Sequence, residues 1–243
     1  EPVPVDFGSP RVMSTAPATV SITHTASSDA DVTVSTIQVT EDADGDFGIQ
    51  EADDTPFTLS PGDDTRVRLS YTPQEIDDGD EGLLLIESDA ESQERLEVPL
   101  GGSSHAPHIE VDTTALNFGT VSQGSNPTLS FEIRSTGNDP LLITELKLSD
   151  TESRKFEISP ATIADPIPPL DTAEVSVTYI ADDRGDDDGT LMITHDDPLE
   201  RPVFIQLHGR TPAPDVDISP AEISILIAKE SHTQTVDINI HNV

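Results

Sequence analysis

The sequence has no cysteine and no tryptophan, and only 4% of its 243 residues are aromatic. Without cysteine, neither a disulfide nor a thiolate metal site can form. Scarce aromatics leave little to build cation cages, base-stacking platforms or sugar-stacking faces. Positive charge is also short, with 12 Lys+Arg against 47 Asp+Glu for a formal net charge of -35. Lys147, Lys155 and Lys229 are the only lysines. Such a surface repels phosphate, which argues against nucleic acid and anionic membranes as partners. Counterions must screen its self-repulsion, so the composition fits a halophilic or marine protein, or an acidic secreted protein in ordinary salt. No run approaches the length of a membrane-spanning helix, so no direct membrane insertion is expected. No basic segment precedes an apolar one at the start. The opening Glu1-Pro2-Val3-Pro4 reads as a processed product or a fragment. Low hydrophobicity with high charge is also a signature of disorder, but the strand periodicity argues against it.

The chain repeats itself at about 108 residues. Thr128-Leu129-Ser130-Phe131 aligns with Thr19-Val20-Ser21-Ile22, and Phe156-Glu157-Ile158 with Phe47-Gly48-Ile49. Val175–Tyr179 aligns with Val67–Tyr71, Gly189 with Gly82, and Gly209 with Gly102. A third copy starts after Gly209, where Val216 and Ile218 match Ile109 and Val111, and Ile238 and Ile240 match Phe131 and Ile133. In the first copy Val5-Asp6-Phe7-Gly8 matches Leu116-Asn117-Phe118-Gly119, so the strand equivalent to 109–111 is missing or curtailed. The expected organisation is therefore a domain over 1–104, a second over 105–211, and the first two strands of a third over 212–243.

Each copy reads as short strands of alternating apolar and polar residues, rich in Val, Ile and Thr. In copy two they lie near 109–118, 128–135, 141–148, 155–158, 173–180, 189–195 and 202–208, separated by turn formers such as Ser135-Thr136-Gly137-Asn138-Asp139-Pro140. This spacing predicts an all-β fold of tandem immunoglobulin-like sandwiches. Pro99 and Pro202 in the last strands predict edge positions there. The linkers Gly102–His108 and Gly209–Pro214 are short and carry proline, so they are expected to be semi-rigid.

These motifs carry a resemblance. Ile109-x-Val111, Leu116-Asn117-Phe118-Gly119, Thr128–Phe131, Ser135-Thr136-Gly137, Pro169-Leu170-Asp171, Val175–Tyr179, Gly189–Pro198 and Leu207-His208-Gly209 together resemble the choice-of-anchor D repeat, a relative of the ASH/Hydin group of immunoglobulin-like domains. Copy one departs, with Thr25-Ala26-Ser27-Ser28 where copy two has its Ser-Thr-Gly turn. The resemblance implies multidomain bacterial surface or secreted proteins that use such repeats as spacers or interaction modules. It implies no catalytic residue.

Several acidic loops are candidates for a weakly bound Ca²⁺. Asp42, Asp44, Asp46 and Asp53 have some of the spacing of a calcium loop, but Phe47 stands where the loop needs glycine. Asp182, Asp183, Asp186 and Asp187 form a second oxygen-rich segment, matched in copy one by Asp77–Glu81. The alternative for both is a solvated acidic loop. Arg184-Gly185-Asp186 spells an integrin-recognition tripeptide, a match too short to separate from chance. His105 and His108 read as exposed linker residues, because a His-x-x-His pair with no third ligand makes a poor metal site. His195-Asp196 reads as a turn. Apart from the weak Ca²⁺, no cofactor is expected.

The expected role is structural and not enzymatic. The chain would form an elongated rod, stalk or filament at the cell surface or outside the cell, with other protein domains or copies of itself as partners. Val216, Ile218, Ile223, Ile225, Val236, Ile238 and Ile240 are a candidate strand-donor segment, since strands without a sandwich recruit partners. A chain cut from a longer array explains the same segment. An adhesin-type or accessory binding module is the other reading.

Overall fold

The computed structural model describes residues 2–25, 29–91, 93–149, 154–213, 216–219 and 239–242. Every regular element among them is a strand. The first half contributes β1 (Val5–Asp6), β2 (Ala16–Thr23), β3 (Val32–Thr40), β4 (Phe47–Glu51), β5 (Phe57–Leu59), β6 (Asp64–Tyr71), β7 (Asp80–Ser88) and β8 (Arg95–Gly102). The second contributes β9 (Ile109–Val111), β10 (Ala115–Thr120), β11 (Thr128–Ser135), β12 (Ile143–Leu148), β13 (Phe156–Ser159), β14 (Thr172–Tyr179), β15 (Gly185–His195) and β16 (Val203–Thr211). β17 (Val216–Ser219) and β18 (Asn239–Asn242) follow.

Each half is an immunoglobulin-like β-sandwich. In the first, the sheet β1-β8-β7-β3-β5 packs on β2-β6-β4. In the second, β10-β16-β15-β12 packs on β13-β14-β11-β9. An isolated bridge from Leu141 to Ile167 takes the place that the β3–β5 pairing has in the first. The alternation seen in sequence is the alternation of burial: Val67, Leu69 and Tyr71 of β6, and Val175, Val177 and Tyr179 of β14, point inward between exposed or half-buried neighbours. They meet Leu84, Ile86, Val98 and Leu100 in one core, and Leu191, Ile193, Ile205 and Leu207 in the other.

Two expectations change. The strands bearing or following the prolines are interior ones. β8 lies between β7 and β1, and β16 between β15 and β10, because β1 and β10 pair with them in parallel, Val5 with Leu100 and Leu116 with Leu207. β15 also starts at Gly185, so Asp186 and Asp187 are strand residues facing Arg210 and Gly209 rather than loop residues.

The register also moves one alignment. Val20 faces Val67 while Phe131 faces Val175, so Val20 is the counterpart of Phe131, two residues from the match read in sequence. A shift of two keeps every side chain on its own face, so alternation alone does not detect it. With that register His24 corresponds to Ser135. Their amides bond Asp63 O and Asp171 O, and their carbonyls accept from Gly62 and Leu170, both of positive φ. β9 covers the outer edge of β11, and no strand among the described residues covers the same edge of β2.

Candidate functional site

Two places concentrate polar side chains: the end of each sandwich where its last strand leaves, and the segment joining the two.

Where the last strand leaves, the Tyr179 hydroxyl donates to Asp187 Oδ2 at 2.6 Å and lies 3.0 Å from Thr211 Oγ1. The Tyr71 hydroxyl donates to Asp80 in the same position of the first sandwich. Both rings are fully buried, packed on Phe156 and Phe118 in one case and Phe47 and Phe7 in the other. The glycines that align in sequence have their reason here. A Cβ on Gly209 would stand 2.7 Å from the Tyr179 ring, and one on Gly102 2.6 Å from the Tyr71 ring. Burial raises both phenols, and the facing carboxylates raise them further.

The two ends differ in one charge. Lys155 precedes Phe156 and binds Asp182 and Asp183 through its ammonium. Burial would lower its pKa, but those hydrogen bonds and the Asp187 charge outweigh that and raise it. Asp46 precedes Phe47 at the matching place and is only 5% exposed. Its Oδ2 lies 3.4 Å from the Gln74 amide, and its Oδ1 is buried with no hydrogen-bond partner. Burial raises its pKa against the opposing Gln74 amide, and the charges of Asp80, Asp42 and Asp44 raise it further.

The other predicted acids have separate duties. Asp42 accepts from the amides of Gly45, Asp46 and Phe47 at 3.0 to 3.2 Å, closing the turn before β4. Asp53 accepts from the Thr65 hydroxyl. Asp44 is exposed. Asp182 and Asp183 hold Lys155, Asp186 faces Arg210 at 3.6 Å, and Asp187 serves Tyr179. Among the described residues no three acidic or histidine side chains form a metal-binding group. Of the strand-donor segment, Val216 and Ile218 lie in β17 and Ile240 in β18, paired Val216 to Asn242 and Ile218 to Ile240. Ile223, Ile225, Val236 and Ile238 lie outside the described residues.

The joining segment 103–109 is bonded on both sides. Toward the first sandwich, Ser103 N donates to Gly8 O (3.0 Å), His105 N to Pro10 O (3.2 Å), and Val12 N to His105 O (3.0 Å). Ser104 Oγ donates to Glu75 O (2.7 Å) and accepts from Asp77 N (2.8 Å). Toward the second, Ala106 N donates to Asn138 Oδ1 (2.9 Å), and Asn138 Nδ2 to Ser104 O (3.1 Å). His105 and His108 are half-buried, not free linker residues. Their Nδ1 atoms donate to Asp139 (2.6 Å) and Asp197 (2.9 Å), and Asp197 also accepts from Ile109 N (3.0 Å). Arg11 then crosses directly, its Nη2 donating to Asp196 O (3.0 Å) and Oδ2 (3.1 Å). Sequence reading missed Arg11, Asn138 and Asp197 here. Asn138 carried a signal as part of the Ser-Thr-Gly-Asn turn; Arg11 carried none. His195 is the last residue of β15, paired with Ile143, rather than a turn residue; its ring bonds Arg201 O (3.0 Å) and accepts from Asp197 N across the turn that follows.

This is the architecture of an immunoglobulin-like interaction or structural module, with its conspicuous polar contacts spent on holding parts together. Residues 107–210 match the family model described as the HYDIN/CFA65/VesB-like, Ig-like domain. Among curated proteins none matches the chain. A protein of unknown function from Porphyromonas gingivalis W83 is similar at 14% identity and TM-score 0.38, over 85% of this chain and 96% of that one. The seventh ASH/PapD-like domain of human CEP192 is similar at 17% identity and TM-score 0.34, over 43% of this chain and 86% of that one. The secreted serine protease VesC from Vibrio cholerae is similar at 17% identity and TM-score 0.32, over 79% of this chain and 49% of that one.

Proposed function

We propose that this chain is a non-catalytic spacer and interaction module of the choice-of-anchor D type, working at the cell surface or outside the cell as part of an elongated rod. Its units are the sandwiches over 1–104 and 105–211, with a third beginning at 212. The observation that carries the reading is the joint: segment 103–109 is hydrogen-bonded to both sandwiches, and Arg11 bridges them directly. A spacer transmits length only if its joints resist bending, and a joint bonded on both sides resists better than one stiffened by proline alone. The net charge of -35 keeps such a rod soluble where salt is plentiful. Small-angle scattering tests this. An elongated particle whose length matches two sandwiches end to end is expected, and a compact particle with the sandwiches side by side contradicts it.

Strand donation between molecules is a second, finer reading, favoured by the outer edge of β2, which no strand among the described residues covers as β9 covers β11. An antiparallel strand with an Ile-x-Val pattern fits that edge. Concentration-dependent self-association of the chain, lost on placing proline in β2, is the expected outcome; a monomer at all concentrations excludes it.

A further inference from the structure

The ends of the two sandwiches where their last strands leave share one bonding pattern. Phe47 faces Tyr71 as Phe156 faces Tyr179, and Asp80 faces Gly102 as Asp187 faces Gly209. Thr72 N bonds Asp46 O as Ile180 N bonds Lys155 O, at 2.8 and 2.7 Å. Each tyrosine hydroxyl donates to its aspartate. Around this shared frame the second sandwich places a cation, Lys155, within the field of Asp187. The first places an anion, Asp46, within the field of Asp80.

We infer that the Asp46–Asp80 corner binds a hard cation, which does for the first sandwich what the Lys155 ammonium does for the second. Acidity alone would not carry this. The further observation is the Asp46 side chain itself, buried at 5% exposure with Oδ1 lacking any donor. A buried carboxylate with one oxygen left without a donor and the other held only by the Gln74 amide is unfavourable, and neighbouring acids make it more so. A cation between Asp46 and Asp80 relieves both carboxylates at once. The available donors are oxygens alone, which selects Ca²⁺, Mg²⁺ or Na⁺ over softer metals. No third acidic or histidine side chain converges there among the described residues, so main-chain carbonyls and water complete the shell and binding is weak, in the millimolar class. Asp42 and Asp53 lack such a free buried oxygen in the same setting: Asp42 takes three turn amides across its two oxygens, and Asp53 accepts from the Thr65 hydroxyl.

The chain's two tyrosines and lack of tryptophan give this site a private optical probe. Tb³⁺ bound beside Asp80 is sensitised by Tyr71. On the full chain, Tb³⁺ emission excited in the tyrosine band is expected to persist in Tyr179→Phe, to vanish in Asp46→Asn, and to be displaced by Ca²⁺. In parallel, millimolar CaCl₂ should raise the melting temperature by about 3 °C over NaCl of equal ionic strength. That shift should be absent in Asp46→Asn and in Asp46→Lys, which copies the second sandwich. Calcium shifts and Tyr71-sensitised emission that survive in both variants would place the ion on another acidic segment and overturn the inference. So would a wild type without any calcium-specific shift, stabilised instead by acid to the level of Asp46→Asn, since a proton would then neutralise Asp46.

Discussion

Arg11 in the first sandwich holds both the main-chain carbonyl and the carboxylate of Asp196 in the second, across 185 residues of sequence. Asp196 is in turn fixed by the Leu142 amide, which donates to its Oδ1 at 2.9 Å. Arg11→Ala should therefore loosen the joint while leaving each fold intact. Both side chains are part exposed, at 42% and 30%, so the stability loss should stay at about 1 kcal/mol or less. A particle shorter on average and more variable in scattering, with nearly unchanged melting, is the expected pair of results.

Gly137 lets the joining segment lie against the turn after β11. A Cβ there would meet the Ala106 carbonyl oxygen and stand 2.5 Å from His108 N, both main-chain atoms that do not swing aside. Gly137→Ala should displace the segment and break the Asn138 bonds to Ala106. Hydrogen exchange at Ala106 and Asn138 should rise sharply, while the amides of β14 stay protected.

Tyr179→Phe tests the buried Tyr–Asp pair. It leaves buried Asp187 without its hydroxyl donor, and losing a hydrogen bond to a charged group costs about 1.5–3 kcal/mol. Gly209→Ala crowds the same ring and should cost about 1–3 kcal/mol. Chemical denaturation of each variant measures both.

The alkaline limit follows from the same groups. Tyr71 and Tyr179 are both raised above the ordinary phenol pKa of 10.0 by burial and the facing carboxylates, so the folded chain keeps its phenol protons where the unfolded chain loses them. Lys155 is likewise raised above 10.5. All three contributions are complete below about pH 10 and are lost as pH climbs through the folded values. Tyrosinate absorbance should therefore rise only together with loss of the β-sheet circular dichroism signal. Ionisation of either tyrosine in a chain that remains folded would contradict their burial.

Much of the fold is legible in the sequence because strand alternation and burial are the same pattern, as β6 and β14 demonstrate. The Phe47/Phe156 and Gly102/Gly209 matches also hold, since each packs on a buried tyrosine. What the pattern hides is anything with an even offset or a distant partner. The two-residue slip between β2 and β11 preserves every face. The parallel pairing of Val5 with Leu100 comes from a strand too short to show periodicity. The exchange of Lys155 for Asp46 looks like one more surface substitution until the register puts both beside a buried Tyr–Asp pair. Arg11 is an unremarkable loop arginine until folding brings Asp196 to it.

The proposal of a rigid joint is most directly tested by distance measurement between spin labels. The chain has no cysteine, so Thr19→Cys on β2 and Glu132→Cys on β11, both exposed, give one label per sandwich. A fixed joint predicts a single narrow distance distribution in the parent chain that broadens in Arg11→Ala and Gly137→Ala. A distribution already broad in the parent, and unchanged by either substitution, would contradict it.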